Sequence, residues 1–230
     1  MTLAMSAGVD EYLEGIFKLT EDGGCATVPA LAEHLSVSPV SANEMVRKLS
    51  ERGLAVYEPR KGVALTDQGR LQALSVVRRH RLWERFLTDY LHMEWDQVHE
   101  EACRLEHATS PVVEERLAQL LEAPQSCPHG HAMPTADGHI EPRQSTSIAD
   151  LEVGQQATVF SVPEEDAGLL RYLDSLGIRP GRVVTLRAAE PYGGPVTIEV
   201  KGRVRAISRE LACQVRVGDI GPANAVRAVR

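Results

Sequence analysis

The segment HEEACRLEH places His99, Cys103, Glu106 and His107 at i, i+4, i+7 and i+8, along one face of the helix it encodes. Four coordinating side chains make a poor core stripe. Burying them costs desolvation and mutual repulsion unless a cation neutralises the set. Other segments offer matching donors: His80 and Glu84 at i, i+4, Glu11 and Glu14 at i, i+3, and CPHGH with Cys127, His129 and His131. Any one of these alone reads as a solvated surface group, whereas the set reads as metal binding. Carboxylates, imidazoles and a thiolate from separate helices suit Mn(II), Fe(II) or Co(II); a closed zinc site more often shows C-x-x-C pairs, which are absent. The acids near the N-terminus favour Mn(II), while Cys103 pulls toward Fe(II), Co(II) or Zn(II).

Upstream, two short helices and a strand–turn–strand read as a winged helix-turn-helix. Thr27 caps the first helix. Ser38-Pro39 opens the second, with a capping hydroxyl followed by Pro at the first helical position. Gly53 stops it, and Leu54–Tyr57 and Val63–Leu65 flank a Pro-Arg-Lys-Gly tip. A helix of this kind fits the major groove of double-stranded DNA. Ser38, Pro39, Ser41 and Asn43 would face base edges, with Thr27 beside them, and Arg47, Lys48, Arg60 and Lys61 would sit near phosphates. The bland alternative is three packed helices with a solvated basic rim. The net charge of −7 does not decide between them, because a local basic strip meets phosphates whatever the total.

Asp67 and Asp96 are expected N-caps of two further helices, and Ser110-Pro111 repeats the cap-then-Pro signal. Pro124, Pro128, Pro134 and Pro142 then interrupt regular structure. The remainder is β-rich: Thr158–Val162, Val183–Leu186, Val196–Val200 and Val204–Ile207, with a helix from about Asp166 ending at Gly177, suit a five-stranded SH3-type barrel. The expected fold class is α+β, in four segments: a winged helix-turn-helix over 1–75, a helical dimerisation and metal-binding segment over 76–123, a linker carrying CPHG over 124–147, and a small SH3-like β-barrel over 148–230. No apolar run reaches membrane-spanning length, no secretory signal is visible, and the four scattered Cys form no disulfide ladder, so a reducing cytoplasm is the expected compartment. Cys25 and Cys213 read as packed small residues, and Trp83 and Trp95 as core or interface anchors.

The succession of winged helix, RHRLWERFL, C-R-L-E-H, CPHG and a final LEVGQQATVF…LGIRPGRVV…ISRELACQVRV resembles the diphtheria toxin repressor family of metal-dependent transcriptional regulators. It is most similar to the manganese-responsive branch with a FeoA-type SH3-like domain. The resemblance implies a homodimeric, Mn(II)-dependent repressor of metal-uptake genes on a palindromic operator, not an enzyme. It implies a core site of Glu11, His80, Cys103, Glu106 and His107. It implies a second site of Glu84, Cys127 and His129 completed by an acid among Glu164, Glu165 and Asp166, with Glu165 and Asp166 preferred. His99 matches an ancillary ligand of the iron branch, and Glu14 a ligand of binuclear manganese regulators. Glu44 departs from the iron-branch recognition helix, where an amide is common. Rival readings are an iron-responsive regulator, a metallohydrolase, which lacks H-E-x-x-H here, and a transport accessory protein, which leaves residues 1–140 unused.

Overall fold

The computed structural model describes residues 2–21 and 26–222, so Cys25 lies outside the described residues. The chain forms two compact units. The first holds residues up to His80 with Leu105–Glu114 and Pro134–Ile140; the second holds Arg81–Arg104, Glu115–Met133 and the chain from Glu141.

In the first unit, α1 (Thr2–Glu21) buries Tyr12, Leu13, Ile16 and Phe17 against α2 (Val28–His34) and α3 (Pro39–Glu51). Capping sets where the short helices begin. Thr27 Oγ1 accepts from Ala30 N–H (3.2 Å) and Ser38 Oγ from Ser41 N–H (3.0 Å), each satisfying an orphan amide of the first turn. The wing is a hairpin of β1 (Ala55–Glu58) and β2 (Gly62–Leu65) in register Ala55↔Leu65 to Glu58↔Gly62, and Ala26 bridges Val63 as a third edge. The first expected strand is displaced by one residue, because Leu54 N–H bonds back to Leu49 and ends α3 instead. The helix α4 (Asp67–Asp89) is capped by Thr66, not Asp67: Thr66 Oγ1 accepts from Gly69 N–H (3.1 Å) and donates to Gly53 O (2.7 Å). Gly69 is required there, since a Cβ would stand 1.8 Å from Leu54 O.

In the second unit, Leu82, Leu117 and Ala118 form a small helical core with Trp83 and Phe86 against it. The helices α5 (Val98–Glu106) and α6 (Pro111–Leu120) each run across the boundary between units, as α4 does. The C-terminal part is a curled, antiparallel six-stranded sheet in the order β3-β8-β4-β5-β6-β7. Its strands are β3 (Thr146–Ser147), β4 (Gln155–Ser161), β5 (Val183–Ala189), β6 (Val196–Val200), β7 (Arg203–Ile207) and β8 (Arg216–Pro222). Bulges in the pairing of β4 with β8 and of β5 with β6 supply curvature. The turn at Lys201-Gly202, both at positive φ, is the kind that matches strand twist. The helix α7 (Ala167–Leu176) is capped by Asp166 and stopped by Gly177 at φ +80°; α8 (Arg209–Gln214) is capped by Ser208. Periodicity missed β3, β8 and α8, because two-residue and Gly-containing strands and a six-residue helix carry too few apolar repeats. Trp95 sits in this sheet's own core with Val159, Ile178 and Ile198, which makes it a core anchor. Cys213 is exposed, so it is not a packed thiol.

Candidate metal centres and nucleic-acid face

In the first unit, the middle of α4 at His80, the end of α5 and the inner face of α1 meet. His80 Nδ1 lies 2.7 Å from Glu106 Oε2, both side chains being essentially fully buried. His107 Nε2 is 3.1 Å from Glu106 Oε1 and 3.9 Å from Glu11 Oε1. Donor atoms of Glu14, His80 and Glu106 lie within 4.8 Å of one another. Glu14 faces inward and pairs with Lys18 at 3.1 Å, while Glu11, expected to be the N-terminal ligand, stands at the rim with its side chain 54% exposed. The reason is helical: Glu14 shares the buried face of Leu13 and Phe17, and Glu11 begins the exposed edge. Burial pushes the Glu106 carboxyl up, with Glu14 adding to the rise and the His80 hydrogen bond opposing it. Asp10 is raised by burial too. His107 Nδ1 is buried without a hydrogen-bond partner, a donor lone pair or proton left for a ligand.

Cys103, one helical turn before Glu106, belongs to the second unit, where its sulfur lies 3.8 Å from His99 Nε2. That unit holds a cluster of four. Donor atoms of Glu84, Cys127, His129 and Glu164 lie within 4.8 Å of one another, and all four residues are buried. His129 Nδ1 is 3.2 Å from Glu84 Oε1 and 3.9 Å from Glu164 Oε2; Cys127 Sγ is 3.9 Å from Glu164 Oε2. His129 Nε2 donates to Trp95 O (2.8 Å), which selects the tautomer that turns the Nδ1 lone pair to the cluster. Nδ1 itself has no well-formed hydrogen bond. The Trp95 ring stacks on His129 (5.7 Å between centroids), and Arg179 lies over Trp95. The loop that carries Cys127 and His129 is a tight turn closed by Cys127 N–H to His131 O and Gly130 N–H to Cys127 O.

Two carboxyls, a thiol and an imidazole share this dry space, and like charges there repel without solvent to screen them. The cluster therefore retains protons. Burial, with Glu84 beside it, raises the Cys127 thiol. Burial alone would lower His129, but Cys127 and the Glu84 carboxylate facing its Nδ1 push it up to about 11. Two oxygens, one nitrogen and one sulfur at mutual ligand distance fit a divalent transition ion that would displace those protons.

The preferred acids of this second site are corrected. Asp166 Oδ1 is committed to capping α7 through Leu169 N–H (3.0 Å), and Glu165 is exposed. Glu164 is the acid that faces the cluster: it is buried beside Cys127 and His129, as Val162 is buried before it, with Pro163 half-buried between them. His99 Nδ1 lies 3.5 Å from Glu84 Oε1, and His131 Nε2 3.6 Å from Glu164 Oε2, so both histidines flank the quartet.

On α3, Ser38, Pro39, Ser41, Glu44, Arg47 and Lys48 are exposed, Asn43 is half-buried, and the wing exposes Arg60 and Lys61. Ser38 and Ser41 also bond each other through their hydroxyls (2.8 Å), Lys61 pairs with Glu58, and Thr27 is half-buried at its cap. Arg60 takes φ +70° at the hairpin tip.

Residues 4–63 match the N-terminal DNA-binding domain of iron-dependent repressors, residues 66–135 their metal-binding and dimerisation domain, and residues 146–218 the FeoA domain. The diphtheria toxin repressor of Corynebacterium efficiens is 32% identical, over 93% of this chain and 96% of its own length. The iron-dependent repressor IdeR of Mycobacterium tuberculosis is also 32% identical, over 90% and 94%. Among solved structures, a manganese-dependent transcriptional repressor in complex with manganese superposes with TM-score 0.86 and 34% identity, covering 91% of this chain and 98% of that one. The manganese regulator SloR follows with TM-score 0.80 and 32% identity, covering 91% and 97%.

Proposed function

The chain belongs to the iron-dependent repressor family of metal-dependent transcriptional repressors, and from that premise we propose that the ion it answers to is Mn(II) and its target a palindromic operator of metal-uptake genes. The observation that carries this is the meeting of α1 carboxylates with Glu106 and His107 inside the DNA-binding unit. Glu14, His80, Glu106 and His107, with Glu11 at the rim, would hold one ion; Glu84, Cys127, His129 and Glu164 would hold another. A bound divalent ion supplies positive charge that offsets carboxylate repulsion. The predominance of carboxylate oxygen favours Mn(II) over softer ions.

The residues themselves explain the coupling. Glu14 and Glu106 repel when both are ionised, and that repulsion works against α1 resting on the end of α5. Because α1 shares one apolar core with α2 and α3, whatever fixes α1 fixes the recognition helix. Exposed Val112, Val113 and Leu120 on α6 give an apolar face for pairing two copies, whose recognition helices would then address half-sites about 34 Å apart. Ser38, Pro39, Ser41 and Asn43 would read bases, with Thr27 beside the groove and Arg47, Lys48, Arg60 and Lys61 on phosphates. Such a regulator works in the cytoplasm and turns over no substrate.

The test is a gel shift on the operator with chelator, Mn(II) or Fe(II). If about 1% of the metal-free dimer is competent, Mn(II) raises apparent affinity about 100-fold. Equal affinity in chelator and metal would refute the reading, and a response to Fe(II) alone would transfer it to the iron-responsive branch.

A further inference from the structure

We propose that His131 is an exchangeable outer donor of the Glu84–Cys127–His129–Glu164 centre, the imidazole through which a divalent ion passes between solvent and the buried quartet. This rests on reading the quartet as a metal centre. The quartet has no open side: Glu84 and His129 are 0% exposed, Cys127 2% and Glu164 6%. A hydrated ion must shed its water to enter, and a donor at the mouth lets it exchange water for protein ligands stepwise. Glu164 carries the largest residual exposure of the four, so the mouth lies on its side. His131 stands there, 19% exposed, with Nε2 3.6 Å from Glu164 Oε2. Its other contact is the Val162 carbonyl at 3.0 Å, a hydrogen bond that a rotating ring gives up and regains.

His99 flanks the other carboxylate but is placed less well for entry. It reaches Glu84, which has no exposure, and its second nitrogen lies against Cys103. The position of His131 is set by the turn: Cys127 N–H bonds His131 O, and Val162 N–H bonds His129 O, so the imidazole is delivered to the segment that carries Glu164.

The experiment is stopped-flow loading and release of Co(II) and Mn(II) by the whole chain, read by quenching of Trp95, whose ring stacks on His129. Cys127→Ser assigns the signal by removing it. His131→Gln keeps an N–H for the Val162 carbonyl but is a far weaker ligand, and His131→Ala removes both. The expected result is that both variants load and release about tenfold more slowly, with the equilibrium dissociation constant within about twofold of the parent. Parent rates in both variants overturn the proposal. So does slow loading in the Ala variant alone, which marks a strap, or weakened affinity with unchanged loading, which marks a static ligand. A parent chain that takes up no ion at the quartet refutes the metal-centre reading itself, before His131 is at issue.

Discussion

His129 is positioned by three different interactions: a backbone carbonyl on one nitrogen, a carboxylate facing the other, and an indole against its face. With no ion, the imidazole keeps its proton far above the ordinary histidine range, and burial raises its neighbour Cys127 as well. The sign follows from linkage. Both groups bind protons more tightly folded than unfolded, so the stability they contribute is fully present below pH 6.5, the ordinary histidine value. It declines as pH rises toward about 11. Thermal unfolding of chelator-treated protein between pH 6.5 and 10 is expected to show a falling midpoint, and saturating Mn(II) to flatten it, since the ion replaces those protons. A midpoint independent of pH in chelator would mean that the quartet does not retain them. Proximity in sequence misled at the neighbouring acids. Glu164, Glu165 and Asp166 are chemically equivalent as candidates, and only their directions separate them: inward, outward, and onto the first turn of α7.

At the scale of elements, the quartet depends on how the CPHGH turn docks on β4. Gly130 takes φ +93°, and a Cβ there would stand 1.8 Å from Phe160 O. Gly130→Ala therefore cannot be absorbed by a side-chain shift; the turn must lift from the strand that leads to Glu164. The expected cost exceeds about 1 kcal/mol in chemical denaturation, together with loss of ion affinity at the quartet. An unchanged denaturation midpoint would refute this docking. The helices of the first unit were legible because caps and apolar repeats are local signals, as at Thr27 and Ser38. The cap of α4 was not, since Thr66 and Asp67 are both acceptable capping residues and the choice between them rests on the bond from Thr66 to Gly53.

For the whole molecule, the two donor clusters described within units fall one in each: Glu14, His80 and Glu106 in the first, the quartet in the second. Ion at about 100 times its dissociation constant adds about 2.7 kcal/mol per site. Calorimetry of Mn(II) titrations should then resolve two separable contributions. Glu106→Gln should remove the first and with it metal-dependent operator binding. Cys127→Ala should remove the second and only weaken operator binding. A single contribution lost in both variants would mean that the clusters act as one site. The winged helix, the C-terminal sheet and many of the residues that the fold gathers into clusters were readable from the chain, because helix phase, strand alternation, caps and side-chain chemistry are set by neighbours within a few residues. The approach of Glu14 to His80 and Glu106, of Glu164 to Cys127 and His129, and of His131 to Glu164 was decided only by tertiary packing, because donors separated by tens of residues converge only once the apolar faces of their helices and strands have been buried.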